Sequence, residues 1–257
     1  MIVVAAMCPA PPLLARELTG ADPVVPELRQ ACRDAAAGLL RGHPDVIAVV
    51  GAGAQTRTWD GGSRLDVSAF APGIDEAVRT GSTGLDWSGF ISSIGAAARD
   101  GSPGLPLPLG LAARLLDQAG YAGPRVLQLV GEDEPADRCA ELGARIACSA
   151  GRVALLAMGD GSARRGPKAP GYFDARSAPF DAEVERAVRA ADLDALLALD
   201  QDLAHELMAT GRPSWQVLAG ALQGTKPASE IIYCDDPFGV AYLVASLAIH
   251  PPTVCSG

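Results

Sequence analysis

The sequence predicts an α/β protein: a layered α/β/α single domain spanning residues 1–257, built around a mixed, mostly parallel sheet. Three observations carry that expectation. Apolar runs of strand length, each far too short to cross a membrane, recur at residues 2–6, 45–50, 125–130 and 152–158. The stretches between them place apolar residues at helical spacing, so strands and helices alternate as they do in parallel sheets. With 257 residues, 49% of them apolar and 20% charged, the chain can bury one large core.

Residues 2–6 open the chain as a buried strand. They run into Cys8, Pro9, Ala10, Pro11 and Pro12, a rigid turn, because proline fixes φ and donates no backbone hydrogen bond. The turn holds Ala10 at a strand end, where open α/β sheets bind their ligands. The plainer alternative is a stiff strand exit without chemistry. Residues 17–26 read as a loop. Residues 27–41 read as a helix, with Leu28, Cys32, Ala36 and Leu39 or Leu40 on one face and Gly42 at its end. Residues 45–50 form the second buried strand, followed by Gly51, Ala52, Gly53 and Ala54. That glycine-rich exit lacks the G-x-G-x-x-G order of a nucleotide site, and no clear helix follows it.

Residues 64–70 alternate and read as an edge strand. Residues 75–104 are rich in glycine and serine, with a helix expected over 87–98. Residues 108–119 predict a helix, with Pro108 at its start, Leu111, Leu115 and Leu116 on one face, and Gly120 at its end. A strand over 125–130 precedes a helix over 132–150, whose first turn carries acidic residues that suit the helix dipole. The strand over 152–158 leads into the longest polar stretch, residues 159–181. A loop of that length in a compact domain is functional or disordered, and its aromatics and prolines favour order. Helices are expected over 180–191, 192–210 and 215–222, and a strand over 230–234. The very apolar residues 239–249 read as a buried helix.

The net charge of −9 argues against nucleic acid or an anionic membrane surface as a partner, since both select a basic face. No basic segment precedes residues 2–6, so they do not read as a signal peptide. The cysteines, Cys8, Cys32, Cys139, Cys148, Cys234 and Cys255, form no C-x-x-C pair. They read as reduced, mostly core thiols of a cytoplasmic protein. The only histidines are His43, His205 and His250, which limits any metal or acid–base scheme.

Four stretches taken together carry a family resemblance: CPAPPLL at 8–14, DVIAVVG at 45–51, GDGSARR with KAPGYFDARSAPFD within 159–181, and SEIIYCDDPFGVAYLVA at 229–245. In that order they resemble the class III extradiol ring-cleavage dioxygenases, specifically the catalytic B-subunit-like domain and its MEMO-like relatives. The resemblance spans nearly the whole chain. It implies Fe(II) held by two histidines and one glutamate, with positions left open for a catechol and O₂, the facial arrangement of non-haem iron oxygenases. It maps the first histidine to Ala10 and the second to the segment of Gly53, Ala54 and Gln55. It maps the glutamate to Glu230, and the acid–base histidine, which follows Ser162, to Ala163. Three of the four groups are therefore absent. Alanine neither ligates a metal nor moves a proton, and a lone carboxylate does not hold Fe(II) tightly.

Three functions remain open at this point. The chain is a degenerate dioxygenase-like scaffold that binds a small ligand, or serves as a homo-oligomer or partner subunit. Alternatively it is an enzyme of another type, using Asp160, Glu230, Asp235 or Asp236, with Arg164 or Arg165 as an anion contact. Asp235 and Asp236 also read as a solvated turn before Pro237. The third function is an iron dioxygenase with replacement ligands. Arg164 and Arg165, adjacent cations in the long loop, are expected to line the mouth of the pocket. Ala10, residues 53–55, Ala163 and Glu230 are expected to converge around one cavity.

Overall fold

The apolar run at the start of the chain becomes β1, Ile2–Cys8, and it sits inside the sheet, not at its edge. The computed structural model describes residues 1–19, 24–59 and 104–249, together with the backbone of three short strands between 64 and 98. Those three are β4 (Arg64–Asp66), β5 (Asp75–Ala77) and β6 (Ala97–Ala98). The other strands are β2 (Val46–Gly53), β3 (Arg57–Trp59), β7 (Arg125–Gly131), β8 (Val153–Met158), β9 (Ala228–Asp235) and β10 (Tyr242–Ala248). Eight of the described strands form one sheet in the order β6-β3-β7-β2-β8-β1-β10-β9. The central four, β7, β2, β8 and β1, run parallel. The flanks are antiparallel: β10 against both β1 and β9, and β3 against β7.

Both faces of the central strands are covered, which is why β1, β2 and β8 read as unbroken apolar runs, while β7 carries the buried Arg125 and Gln128. Along β8, Val153, Leu155 and Ala157 enter one core while Ala154, Leu156 and Met158 enter the other. The second core is closed by α2 (Pro26–Leu40) and α3 (Leu107–Gln118). The first is closed by α4 (Ala136–Ala147), α5 (Ser177–Ala190) and α8 (Arg212–Leu222). The result is the layered single α/β domain that the sequence predicts. Helix starts follow local chemistry. Pro26, Pro108 and Pro213 occupy first turns, where a missing N–H costs nothing. Asp192 and Asp200 cap the short helices α6 (Leu193–Leu197) and α7 (Gln201–Glu206) through their carboxylates.

Several local expectations are corrected. Residues 239–249 are not a buried helix: they hold β10, which slots between β1 and β9. A short apolar run fits either state, and the tight turn that decides it is set by Gly239 at φ +74°. The helix expected over 132–150 starts only at Ala136, and that expected over 192–210 breaks into α6 and α7 at Asp200. Residues 17–26 are not all loop, since α1 covers Arg16–Thr19. Helix α2 closes at Arg41, and His43, not Gly42, takes the left-handed turn at φ +43°. Of the strand expected over 64–70, β4 pairs with β5 in a separate two-stranded sheet, and residues 67–70 lie outside the described residues. The helix expected over 87–98 lies outside the described residues except for Ala97–Ala98, which form β6. No described helix is long and apolar enough to cross a membrane.

Candidate functional site

Strand register builds the site. Cys8, Met158, Gly51 and Leu129 lie side by side across four parallel strands. Past that level the chain leaves the sheet at one edge as Ala10, Asp160, the Gly53 segment and Glu132. Asp160 is the hub. The Gly159 N–H donates to Cys8 O at 3.0 Å, and the Gly211 N–H donates to Asp160 O at 2.8 Å. The Asp160 N–H donates to Thr210 Oγ1 at 3.2 Å. Glycine is required where these backbones meet, because a Cβ on Gly159 would come within 2.3 Å of Gly211 Cα. The Asp160 carboxylate accepts the Ala10 N–H at 2.7 Å. Burial pushes its carboxyl from 3.8 up to about 7, against the pull of that single N–H. Tyr242, buried in the same core as Ala163, has its phenol pushed up by burial, with Asp160 and Tyr233 adding to the effect.

The long loop after β8 is ordered and pinned from both sides. The Ser162 backbone and hydroxyl both donate to the Asp181 carboxylate. The Ala241 N–H donates to Ser162 O at 2.9 Å, and the Arg165 N–H to Gly239 O at 3.0 Å. The Arg165 guanidinium pairs with Asp236 at 2.7 Å and lies 3.8 Å from Asp181. Burial raises the Asp181 carboxyl while Ser162 and Arg165 pull it down. Ser162, Arg165 and Asp236 thus tie the loop to the β9–β10 hairpin.

Beside the hub lies a cleft of about 510 Å³, lined by Glu132, Arg164, His205, Thr210 and Arg212 among others. Arg212 is 1% exposed. It donates to Glu134 O at 2.9 Å, to Gln216 Oε1 at 2.7 Å and to Glu132 O. One guanidinium therefore fixes the whole turn between β7 and α4.

The structure brings Ala10 into contact with Asp160 and places Ala163 in the core beneath them. Gly53 ends the next strand but one, about 10 Å from Ala10 by sheet spacing, and Ala54 and Gln55 are exposed. Of the two loop arginines expected at a pocket mouth, Arg164 lines the cleft and Arg165 does not. Glu230 does not join the others. It is exposed on β9 opposite Ser246, whose other neighbour is Ala6, four residues short of Ala10 and ~13 Å down the strand. Antiparallel to β10, β9 runs in the same direction as β1, so the residues that reach this edge are Tyr233 and Asp235 near its C-terminal end. Thr210, Arg212, Asp181 and Tyr242 are additions that residue patterns did not single out. The one available signal was Pro213, which marks a helix start and so a strand-end turn just before it.

These residues do not fit Fe(II). Among the described residues, no group of three His, Cys, Asp or Glu side chains stands close enough to hold a metal ion. His205 is exposed on the cleft, His43 lies at the far end of the strands, and Glu230 is remote.

The raised Asp160 carboxyl has a consequence for stability. It binds a proton more tightly folded than unfolded, so folded stability falls as pH rises from 3.8 to about 7. Asp160→Asn keeps the acceptor for Ala10 and removes the charge. It is expected to gain about 2 kcal/mol near pH 8 and nothing near pH 4, measured by urea unfolding at both values. An equal gain at both would place the effect elsewhere.

No family profile matches the chain, and no curated protein matches it. Among solved structures, it is similar to the uncharacterized protein JW3007 from Escherichia coli K12. That likeness has a TM-score of 0.61 at 14% sequence identity and covers 96% of this chain and 99% of the other. At that identity it shows a shared fold.

Proposed function

We propose that this chain is an extradiol-dioxygenase-like protein without the iron chemistry, and that it holds a small organic ligand at the carboxyl ends of its parallel strands. The observation that carries this reading is the Ala10–Asp160 contact. Where the resemblance expects an imidazole over the end of β1, a backbone N–H meets a carboxylate instead. The fold class supports the reading, since strand ends of open α/β sheets are ligand sites. So does the donor set of the described residues, among which no facial triad stands together. The free thiols Cys8, Cys32 and Cys139, all buried, support a cytoplasmic setting.

The test is anaerobic loading with Fe(II), followed by metal analysis and O₂ uptake with catechols. The expected result is background iron and no uptake. One iron per chain with ring cleavage would overturn the proposal. A second reading is favoured by the elevated Asp160 carboxyl, which suits proton transfer near neutral pH. It requires a bound compound to be turned over with a pH profile centred near 7 that Asp160→Asn abolishes.

A further inference from the structure

We infer that the cleft beside Asp160 binds a small carboxylate, anchored by the Arg164 guanidinium and the Thr210 hydroxyl. This rests on the reading of the chain as a ligand-holding protein and names the class of ligand.

Arg164 is held in place but not neutralised. Its stem is packed where Gly171 and Met208 meet: a Cβ on Gly171 would lie 2.7 Å from both Arg164 Cγ and Met208 Sδ. Its Nε is buried with no hydrogen-bond partner. Two carboxylates stand nearby, Glu206 on the cleft wall and Asp174, whose N–H donates to Arg164 O at 3.0 Å. Arg176 occupies both, at 2.7 Å to Asp174 and 2.6 Å to Glu206. Its hydrogen bonds draw the Asp174 carboxyl down to about 2, with the Arg164 charge adding the smallest share. Asp174 and Glu206 are therefore engaged by Arg176, and Arg164, which makes no ion pair among the described residues, lines a cleft of about 510 Å³. A half-buried guanidinium left this way favours an incoming anion.

Thr210 supplies the second donor. Its oxygen already accepts the Asp160 N–H, which leaves its O–H free to donate. Thr210, Arg212 and Pro213 bring the N-terminal end of α8 to the same wall, and its dipole adds to the positive potential. Glu132 on the cleft limits the ligand's charge. It disfavours a phosphate dianion and leaves a single carboxylate as the best match.

Isothermal titration with benzoate, phenylacetate and 4-hydroxybenzoate, each beside its neutral primary amide, tests the inference. At least one carboxylate is expected to bind about ten-fold or more tightly than its amide. Arg164→Gln is expected to weaken that carboxylate by about ten- to hundred-fold and leave the amide unchanged. Arg164→Lys is expected to recover part of the loss, and thermal unfolding of both variants should match the native chain. Carboxylate and amide binding alike, or Arg164→Gln binding the carboxylate normally, overturns the inference while leaving the ligand-holding reading standing. Absence of binding by every probe, charged and neutral, counts against both.

Discussion

Gly143→Val is expected to destabilise the protein by more than about 3 kcal/mol, the largest effect of any single substitution discussed. Helices α4 and α8 touch backbone to backbone at this point. A Cβ on Gly143 would stand 2.1 Å from Val217 O and 2.5 Å from Ala221 N. The reverse contact is as tight, since a Cβ on Gly220 would stand 2.4 Å from Ala140 Cα. Backbone atoms cannot change rotamer to make room, so the helices must separate. Separation pulls Trp215 and Leu218 of α8 off the sheet core and shifts Arg212 at the site end of the same helix. Urea unfolding measures the loss. Gly38→Ala is the control: nothing lies within 4 Å of its new methyl, and it sits inside α2. A gain of about 0.5–1 kcal/mol is expected there from helix propensity. If Gly143→Val and Gly38→Ala behave alike, the close helix contact is wrong.

Arg212→Leu is expected to cost about 3 kcal/mol and to loosen the turn from Glu132 to Pro135. The guanidinium is almost wholly buried, and burial lowers its pKa, so its charge is tolerated only through the acceptors around it. Leucine fills the space but strands the carbonyls of Glu132 and Glu134 and the amide of Gln216. Arg212→Lys should recover little, because one ammonium cannot reproduce the planar fork that spans three acceptors. Amide hydrogen exchange is the measurement, with faster exchange expected at residues 132–134 and little change in β1. Uniform acceleration across the sheet would mean that Arg212 supports the fold as a whole and not this turn.

The sheet was legible because its central strands are buried on both sides. Residues 46–50 and 153–158 had no solvent face to interrupt them with polar residues, and the two polar residues within 125–130, Arg125 and Gln128, are themselves buried. The same uniformity hid β10, whose apolar run carries no period of two or of 3.6. Its strand state is decided by neighbours that lie over 200 residues away in β1. At the site, Asp160 and Arg164 stood out because they occupy a long loop after a buried strand. Arg212 could not, because an arginine in a polar turn reads as a solvated charge. Its burial depends on carbonyls from the β7–α4 turn, almost 80 residues away in sequence. Glu230 was displaced for a comparable reason: motif order says nothing about how far along its strand a residue sits, and Glu230 lies near the start of β9 while the site lies beyond its end.

The interior place of β1 sets a timetable for folding during synthesis. Ala6 pairs with Leu156 on one side and Ser246 on the other. At roughly 5–20 residues per second, β1 waits for roughly 10–50 s before its last neighbour emerges. Until β8 emerges this strongly apolar segment has both edges open, and until β10 emerges it has one, the condition under which nascent chains pair wrongly. Chaperone binding to β1 in the nascent chain is therefore expected to persist until the β9–β10 hairpin has emerged.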